Sequence, residues 1–524
     1  MQSLYETSKK YFKGLIQRLS IDAAQLYTIK HNIKTWRSWR QQVTSGEILC
    51  DFMSIGESSI AFSYFSNIIA RRLNAKIIPF SQKYRYWYLS TWLIYKSFNA
   101  KRMVFCLRLS KAQKNKRDMI YSAAKETINT KQDVIDFKVE GLMIGLDIYE
   151  TYLRERFQPT VNLDDPIFWK TFKDGIGILI FWQDYFSNHK VVSVIVSHDN
   201  YTSMNLICKV AYSKKIPVYT PSVRAFYSLD AQFMIHKYFN DYPAIFKTLS
   251  PAEQLDGIEW AKERLQLKFT GKVGVDMSYS TVSGFSDKTS EAKVLRDSQK
   301  LKVLISSHCF FDNPHGFGKL MFPDFYEWLL FLGELSEETN YDWYIKSHPD
   351  PLPGTFEVLN EISTCYPNIS VLPYDTSHHQ IIDEGINVVL TGHGTIGHEY
   401  PYFGIPVINC GFGPHIAYNF NYHAKTVEEY KNVLLNLNNF QCKIDKEEIF
   451  EFYFMNNKYI LVDDLMLPSY NKYLNDLSHE EREGFAGFKY FINHLTEESH
   501  EDIILKIENY IDSGKHWYFK CGPI

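Results

Sequence analysis

The second half of the sequence contains short apolar segments that nearly all end in a polar loop. Helical-looking stretches separate these segments, which are LKVLISSHCFF, WYIKSHP, ISVLPYD, NVVLTGHG and PVINCG. Short buried strands that alternate with helices are typical of βαβ units and a parallel sheet. In open sheets of this kind, ligands bind at the carboxyl ends of the strands. We therefore expect the polar loops to converge on one binding site.

The first half of the sequence shows the same alternation. The apolar run ILCDFM is followed by a turn at Gly56, the helical stretch SSIAFSYFSNIIARRL and the strand AKIIPF. Farther on, VVSVIVSHDN, a helix through Leu206 to Ser213 and the strand IPVYT form another unit. This pattern predicts an open parallel sheet with helices on both faces. We expect an α/β fold with two Rossmann-like domains and a cleft between them.

The domain boundaries are predicted from length and composition. A chain of 524 residues is too long for one ordinary core, and a polar, glycine-rich stretch separates the two predicted sheets. The expected order is an N-terminal helical region (1–45), a first Rossmann-like domain (46–270), a linker (271–300), a second Rossmann-like domain (301–445) and C-terminal helices (446–524). These C-terminal helices could pack back against the first domain.

Composition and charge narrow the class of protein. The formal net charge of −3 argues against a nucleic-acid partner, because non-specific binding depends on a large basic surplus. The 8 cysteines are scattered singly, which favours free thiols in a reducing compartment. The sequence begins without a signal-peptide pattern, and its apolar runs are shorter than the ~20 residues of a membrane span. A cytoplasmic location is expected.

The first forty residues are rich in basic side chains, and Trp36 and Trp39 lie among them. The basic residues are Lys9, Lys10, Lys13, Arg18, Lys30, Lys34, Arg37 and Arg40. A basic amphipathic helix can rest on an anionic membrane surface, which would place the protein at the inner face of the cytoplasmic membrane. A solvated helical cap explains the same charges. Both interpretations are open at this point.

Residues 387–411 predict a strand, loop, helix and strand that bind a phosphate. The apolar run Val388 to Leu390 stops at a glycine-broken turn made of Thr391, Gly392, His393 and Gly394. The following helix would direct unpaired N–H groups at this loop, and the glycines would let a ligand approach the backbone. Glu399, about one turn into the helix, could accept hydrogen bonds from sugar hydroxyls. The alternative is a connection whose glycines only turn the chain.

The loop KSHPDP follows another apolar strand directly. Lys346 would supply a mobile cation for a phosphate, and Pro349 would stiffen the turn. His348 could donate a hydrogen bond or deliver a proton to a departing phosphate. A single His-Pro pair is weak evidence, but here the glycine loop lies downstream in the same predicted sheet.

The loop SSHCFFDNPH contains His308, Asp312 and His315. Such a set could orient a sugar or act as acid and base, because a carboxylate tunes a nearby histidine. The spacing matches no metal-ligand pattern, so no metal is expected. A purely structural loop is the alternative.

The segment PYDTSHHQ is predicted to be a strand end that leads into a helix capped by Thr376 or Ser377. Together with Leu372 and Pro373, Tyr374 could form a wall for a nucleotide base. We expect His378 and His379 to lie on the surface in the first turn of that helix.

Two strand ends in the first half offer a carboxylate. Glu57 lies in SIGES after the first strand, and Asp199 follows the strand VSVIV beside His198. Either carboxylate could face the cleft and deprotonate an acceptor hydroxyl. For Glu57, a simple role as a helix N-terminal acid is the alternative. Asp147 and Arg154 could serve acceptor binding or only packing.

The second half resembles the donor-binding domain of GT-B glycosyltransferases. The resemblance rests on three motifs, in this order between residues 300 and 430: HCFFDNPH, WYIKSHP and TGHGTIGHEYPYFGIPVI. It is similar in particular to the bacterial surface-polysaccharide group of capsule-synthesis and Kdo-transferase-like enzymes. The resemblance implies that Thr391 to Thr395 hold the donor phosphate, Glu399 the ribose, and the His348–Pro349 pair the nucleotide phosphate. SIGE resembles the base-carrying loop of lipid A Kdo transferases, which favours Glu57.

The resemblance further implies a metal-independent glycosyltransferase without a cofactor, for which the nucleotide sugar is a substrate. An acceptor hydroxyl, deprotonated by Glu57 or Asp199, would attack the anomeric carbon of the donor. The acceptor would be a glycan or lipid-linked saccharide of a bacterial surface, such as capsule, O-antigen or lipopolysaccharide. The His-Pro analogy suggests a CMP-linked acidic sugar, and UDP-, GDP- and CDP-linked donors are open. Two alternatives are a nucleotide-sugar 2-epimerase and a non-catalytic carbohydrate-binding assembly protein.

Overall fold

The computed structural model describes residues 19–40, 45–53, 56–82, 88–231, 238–276, 282–286, 292–349, 351–519 and 522–523. The helices of this part of the chain are α1 (Ala23–Trp36), α2 (Gly56–Leu73), α3 (Leu89–Ser97), α4 (Lys111–Thr127), α5 (Lys131–Ile135), α6 (Gly145–Arg156), α7 (Pro166–Asn188), α8 (Leu206–Ser213), α9 (Tyr242–Phe246), α10 (Pro251–Phe269), α11 (Phe325–Glu338), α12 (Thr355–Cys365), α13 (His378–Asp383), α14 (Ile396–Tyr402), α15 (Val427–Leu435), α16 (Lys446–Phe454), α17 (Tyr470–Asp476), α18 (His479–Glu483), α19 (Phe485–His494) and α20 (Glu497–Ser513). Short 3-10 segments span Arg37–Trp39, Tyr238–Asp241 and Leu437–Asn439, and π-helical turns span Tyr201–Asn205 and Met455–Tyr459.

The first sheet has eight strands. In spatial order they are β16 (Gly522–Pro523), β15 (Trp517–Phe519), β8 (Phe226–Leu229), β7 (Val218–Pro221), β6 (Val191–Ile195), β1 (Gly46–Asp51), β2 (Ala75–Ser81) and β3 (Val104–Phe105). The strands β7, β6, β1, β2 and β3 are parallel to one another. The chain starts at β1, proceeds through β2 to β3, and returns on the other side of β1 through β6 and β7.

The other three strands of this sheet are antiparallel, which corrects the expectation of a purely parallel sheet. The connection between β7 and β8 is a tight turn in which the Ser222 N–H donates to the Ala225 carbonyl at 2.8 Å. A turn this short can join only antiparallel neighbours, because a parallel neighbour needs a long crossover. A separate hairpin pairs β4 (Lys138–Val139) with β5 (Leu142–Met143).

The second sheet has six strands, and all of them are parallel. In spatial order they are β11 (Ile369–Val371), β10 (Asp342–Lys346), β9 (Lys302–Ser306), β12 (Val388–Thr391), β13 (Val407–Asn409) and β14 (Asn421–His423). The chain again starts near the middle, at β9, and changes direction between β9 and β12. Both sheets therefore have Rossmann-like strand orders, and the predicted α/β fold with two such units is confirmed.

Apolar side chains fill both faces of each sheet, as the continuous apolar strands require. In the second sheet, Val303, Ile305 and Leu390 face one buried cluster, whereas Leu304 and Val389 face another. The alternation follows from the two-residue period of a strand. The long helix α7 starts where Asp165 accepts the Ile167 N–H at 2.8 Å and Pro166 takes the first position, both of which favour a helix start.

The C-terminal segment returns to the first sheet. The strand β15 pairs with β8, and α19 and α20 pack against α1 and α2. Trp36, Phe65, Phe226 and Tyr510 share one buried cluster at this contact. None of the helices in the described part of the chain combines the length and the apolar character that a membrane crossing needs.

The helix α1 keeps both interpretations of the basic N-terminal region open. Its inner face buries Thr28, Asn32 and Trp36, and its outer face exposes Leu26, Lys30, Ile33, Lys34 and Arg37. Such a mixed face fits either solvent or an anionic surface. Four of the predicted basic residues, Lys9, Lys10, Lys13 and Arg18, lie outside the described residues.

Candidate active site

The carboxyl ends of the two sheets face one another. Asp312, in the loop after β9, lies 3.6 Å from the guanidinium of Arg154 in α6 and accepts a hydrogen bond from the hydroxyl of Tyr201, which follows β6. His315, in the same loop, contacts Glu150 of α6, with its backbone N and its Nδ1 at 3.0 and 3.1 Å from Oε1. Loops that follow strands of different sheets are thus in direct contact, which is the GT-B arrangement.

The order of the strands reverses between the neighbours β9 and β12, which makes this the switch point of the second sheet. His308 connects the loops that follow these two strands. Its Nε2 lies 2.9 Å from Thr391 Oγ1 and accepts the backbone N–H groups of Gly392 at 3.1 Å and His393 at 3.3 Å. Burial lowers the pKa of His308 well below its ordinary value, and His393 and His348 lower it further. His308 is therefore a neutral acceptor that orders the glycine loop.

This contact changes the interpretation of the glycine loop. A Cβ at Gly392 would lie 2.8 Å from Cε1 of Phe325, and one at Gly394 would lie 3.1 Å from Cε1 of His308. The glycines thus make room for two protein rings. The backbone N–H groups of Gly392 and His393 are occupied by His308, whereas Thr395 is exposed at the mouth of the loop.

The structure does not bring His308, Asp312 and His315 together as one acid–base set. His308 points to the glycine loop, and the other two side chains bond to α6 and to Tyr201. The reason is that the loop 307–324 contacts both sheets at once. Asp312 and His315 therefore contact residues of the first half of the protein.

Lys346 is a fixed cation and not the mobile one that was expected. It ends β10 with 2% of its surface exposed, and its Nζ donates to the carbonyl of Tyr374 at 3.1 Å. Burial lowers the pKa of Lys346 to about 8, and Asp375 opposes this shift. The ammonium is still mostly protonated at neutral pH. His348 is exposed just beyond it, and Pro349 is half-buried.

Tyr374 has 54% of its surface exposed, and its ring centroid lies 6.0 Å from that of Phe356. An exposed aromatic face at a strand end is suited to stacking on a base. Ser377 caps α13 by accepting the His379 N–H at 3.2 Å, which confirms one of the two predicted caps.

His378 is buried, which corrects the expectation that it lies on the surface. Its Nδ1 is 2.8 Å from the hydroxyl of Tyr400, because α13 packs against α14 through these two side chains. Burial lowers the pKa of His378 well below its ordinary value, and four nearby basic groups lower it further: Lys346, Lys268, His379 and His348. Several basic side chains therefore lie around His378 at this end of the second sheet.

Glu399 is a buried member of an ion-pair network whose other two members, Lys268 and Asp276, are half-buried. It lies on α14 with 4% of its surface exposed, and the ammonium of Lys268 in α10 contacts both Glu399 and Asp276. The hydroxyl of Tyr453 also donates to Asp276. Burial by itself would lower the pKa of Lys268, but the two carboxylates raise it above its ordinary value. The assignment of Glu399 to a ribose stays a prediction.

Asp276, His398 and Glu399 present ligand atoms within 4.8 Å of one another, a spacing that could hold a metal ion. The Lys268 ammonium already contacts both carboxylates of this group. It supplies the positive charge that a metal would otherwise bring, so these residues do not favour a metal site.

The first sheet contributes Glu57 and Asp199 at separate strand ends. Glu57 is half-buried and accepts a hydrogen bond from the Tyr470 hydroxyl at 2.8 Å, and the guanidinium of Arg224 lies 4.7 Å from the centroid of the Tyr470 ring. Asp199 has only 3% of its surface exposed. No local pattern could predict Tyr470, because it is distant in sequence from Glu57.

Asp147 and Arg154 have different roles. Asp147 is buried and bonds to Asn205 at 2.7 Å and to Lys209 at 2.5 Å, which is a packing role. Arg154 instead reaches across to Asp312. The sequence left acceptor binding and packing open for these two residues, and the contacts of Asp147 fit packing.

A chain of three polar side chains at the switch point of the first sheet was not recognised in the sequence. Ser197 Oγ lies 2.8 Å from Asp51 Oδ2 and 2.8 Å from His198 Nδ1. Burial raises the pKa of Asp51 to about 6, and hydrogen bonds from Ser197 oppose that shift. Asp51 ends β1 and Ser197 follows β6 after one residue, and this position beside apolar strands could have identified them.

A groove of about 520 Å³ lies elsewhere, along α15 and the following turn. It is lined by Glu428, Glu429, Asn432, Asn436 and Phe440, among others, and contains none of the predicted site residues. Its lining lacks the lysine and histidine side chains that converge at the sheet ends, so we place the candidate site at the sheet ends.

The fold and this site define an α/β protein with two Rossmann-like units whose strand ends face a common cleft. Solved structures similar to this chain include the β Kdo 2,4 transferase KpsC of Thermosulfurimonas dismutans, with 12% identity over 50% of this chain and 79% of that one and a TM-score of 0.32. A glycosyltransferase from Rickettsia africae ESF-5 is 11% identical over 86% and 99% of the two chains, with a TM-score of 0.25.

A UDP-GlcNAc 2-epimerase from Neisseria meningitidis, bound to UDP-GlcNAc, is 11% identical over 87% of this chain and 100% of that one, with a TM-score of 0.21. At these identities the likeness concerns the fold and carries no argument about activity. No protein-family model matches the chain, and no match to it was found among curated proteins.

Proposed function

We propose that this protein is a glycosyltransferase that moves a sugar from a nucleotide-activated donor to a hydroxyl of an acceptor glycan. The observation that carries the proposal is the position of two switch points, one in each sheet, whose loops meet through Asp312 and Tyr201. Open α/β sheets bind their ligands at such points. Two facing sites suit a reaction between two substrates.

On the donor side, Lys346 and His348 both lie close enough to His378 to lower its pKa. The charge of Lys268, which does the same, is balanced by Glu399 and Asp276. A departing nucleotide phosphate gains negative charge in the transition state. In enzymes of other classes, one fixed group aimed at such a charge stabilises the transition state by about 3 kcal/mol. Tyr374 would stack on the base, and Glu399 would contact the ribose after local rearrangement around Lys268.

In the proposed reaction, the oxygen of an acceptor hydroxyl attacks the anomeric carbon and forms the new glycosidic bond. The bond from that carbon to the donor phosphate breaks, and its electron pair stays on the phosphate oxygen. The hydroxyl proton passes to a base on the first sheet, for which Glu57 and Asp199 are the sequence-based candidates. We propose a bacterial surface glycan as acceptor and a CMP-linked acidic sugar as the first donor to test.

The proposal predicts that one nucleotide of the set CMP, UDP, GDP and CDP raises the melting temperature. A ligand at 100 times its Kd adds about 2.7 kcal/mol to the stability of the folded state. The corresponding nucleotide sugar, incubated with bacterial surface oligosaccharides, should yield free nucleotide and an elongated acceptor.

Two outcomes of this assay would contradict the proposal. Conversion of the nucleotide sugar to its 2-epimer without an acceptor would instead identify an epimerase. Binding of nucleotide or glycan with no turnover of any donor would identify a non-catalytic carbohydrate-binding protein.

A further inference from the structure

Three polar side chains connect two neighbouring strands at the switch point of the first sheet. Asp51 ends β1, and Ser197 and His198 follow β6, which is the parallel neighbour of β1. Ser197 Oγ is 2.8 Å from Asp51 Oδ2 and 2.8 Å from His198 Nδ1. Asp51 is buried, and the other two residues are half-buried. The chain therefore runs from the core of the sheet toward its carboxyl edge.

The hydrogen bonds in this chain have one direction when Asp51 is ionised. A carboxylate only accepts, so the single hydroxyl proton of Ser197 is donated to Asp51, and this bond is strengthened by the charge. The Met204 sulfur, 3.4 Å from the same hydroxyl, is a weaker acceptor. Ser197 Oγ must then accept a hydrogen bond from His198, so Nδ1 carries the N–H of the neutral ring. The other nitrogen, Nε2, is left with a lone pair.

His198 lies where the two halves of the protein meet. The centroid of its ring is 6.2 Å from that of Tyr201, and Tyr201 bonds to Asp312 of the second sheet's first loop. Burial lowers the pKa of His198, whereas Asp312 raises it and Arg154 lowers it. The ring is therefore neutral at neutral pH and is close to the loop that follows β9.

We propose that His198 is the general base of the transfer reaction, and that Ser197 and Asp51 are positioning residues that hold it in the basic tautomer. This inference rests on the proposed glycosyltransferase function. In the step, His198 Nε2 takes the proton of the acceptor hydroxyl while its oxygen bonds to the anomeric carbon. The bond to the donor phosphate breaks, and its electron pair leaves with the phosphate oxygen.

The geometry favours His198 over the two carboxylates predicted from the sequence. Asp199, its neighbour in the chain, has 3% of its surface exposed. Glu57 already accepts the hydroxyl of Tyr470. The hydrogen bond of His198 Nδ1 to Ser197 leaves Nε2 of the ring with a lone pair that can take a proton.

Kinetics of three variants test the inference. His198→Gln is expected to lower kcat by roughly 100-fold to 10,000-fold, the usual contribution of general-base catalysis, with the Kd of the donor nucleotide unchanged. Ser197→Ala should lower kcat by about 10-fold, and Ser197→Thr, which keeps a hydroxyl, should retain most of it. His189→Gln is the matched control, because His189 precedes β6 at the opposite end of the same strand. It should leave kcat unchanged.

A second measurement reads the tautomer directly. In long-range proton–nitrogen spectra of the full chain with labelled histidine rings, the signals lost in His198→Gln belong to His198. We expect a protonated Nδ1 and an unprotonated Nε2 at pH 7.5, and a shift toward the opposite tautomer in Ser197→Ala.

The outcomes separate this inference from the proposed function. A wild-type protein that transfers sugar while His198→Gln does so equally well would overturn the role of His198 alone. A protonated Nε2 in the wild-type protein would also overturn it. If the wild-type protein transfers no sugar from any nucleotide donor, the glycosyltransferase proposal fails, and the role of His198 as its base fails with it.

Discussion

Replacing His348 with alanine is expected to lower the rate of sugar transfer by about 100-fold or more while the free energy of unfolding stays nearly constant. The rate falls because His348 is the exposed residue beside the buried Lys346 and would donate a hydrogen bond or a proton to the departing phosphate. The stability is kept because exposed side chains contribute little, within about 0.5 kcal/mol. Turnover with a saturating donor, together with urea unfolding, measures both quantities.

Two further variants sharpen this experiment. His348→Gln keeps a hydrogen-bond donor but cannot deliver a proton at neutral pH, so partial activity would indicate a hydrogen-bonding role. His479→Ala, at another exposed histidine, should have no effect on turnover. An alanine variant at 348 with near wild-type turnover would remove this residue from the proposed site.

Lys268→Met is expected to lower the free energy of unfolding by about 3–5 kcal/mol. The Lys268 ammonium contacts Glu399 and Asp276, and its removal leaves the buried Glu399 and the half-buried Asp276 without a countercharge. The cost is large because the carboxylates stay desolvated while their partner is lost. Denaturant unfolding of the full chain at neutral pH measures it.

Lys262→Met is the matched control for this prediction. Lys262 lies on the same helix, α10, and pairs with Glu259 at 3.0 Å on a more exposed face. Pairs of that kind contribute only about 0–1 kcal/mol. The triple variant Lys268→Met, Asp276→Asn, Glu399→Gln should recover part of the loss, because it removes the unpaired charges. A loss below about 1 kcal/mol in Lys268→Met would contradict the ion-pair network.

The second sheet could be predicted from the sequence because its strands are short, apolar and followed at once by polar loops. The segment LKVLISS contains β9 (Lys302–Ser306), and NVVLT contains β12 (Val388–Thr391). Two-sided burial in a parallel sheet produces such runs, so a local pattern is enough to find them.

The pairing of β15 with β8 in the first sheet could not be predicted in this way. The strand β15 (Trp517–Phe519) pairs with β8 (Phe226–Leu229) although the two are distant in the chain. Strand pairing between distant segments depends on tertiary packing, and a window of local sequence contains no information about the partner.

The contacts of the polar side chains at the strand ends were only partly predictable for the same reason. Lys346, His348 and the glycine loop follow apolar strands and were identified by position. The acceptance of loop N–H groups by His308 depends on a contact between residues 308 and 392. The network of Lys268 with Glu399 likewise joins distant segments. Such contacts decide whether a polar residue is available to a ligand, and spacing does not reveal them.

The proposed function requires that the loops after β9, β10, β11 and β12 surround one nucleotide-activated sugar. Hydrogen–deuterium exchange with the nucleotide that stabilises the protein reports on all four loops at once, because ligand contact slows local opening. We predict slower exchange at residues 307–315, 346–349, 372–376 and 391–396 together, with no change along 426–440. Protection of a single loop, or protection along 426–440 instead, would contradict it.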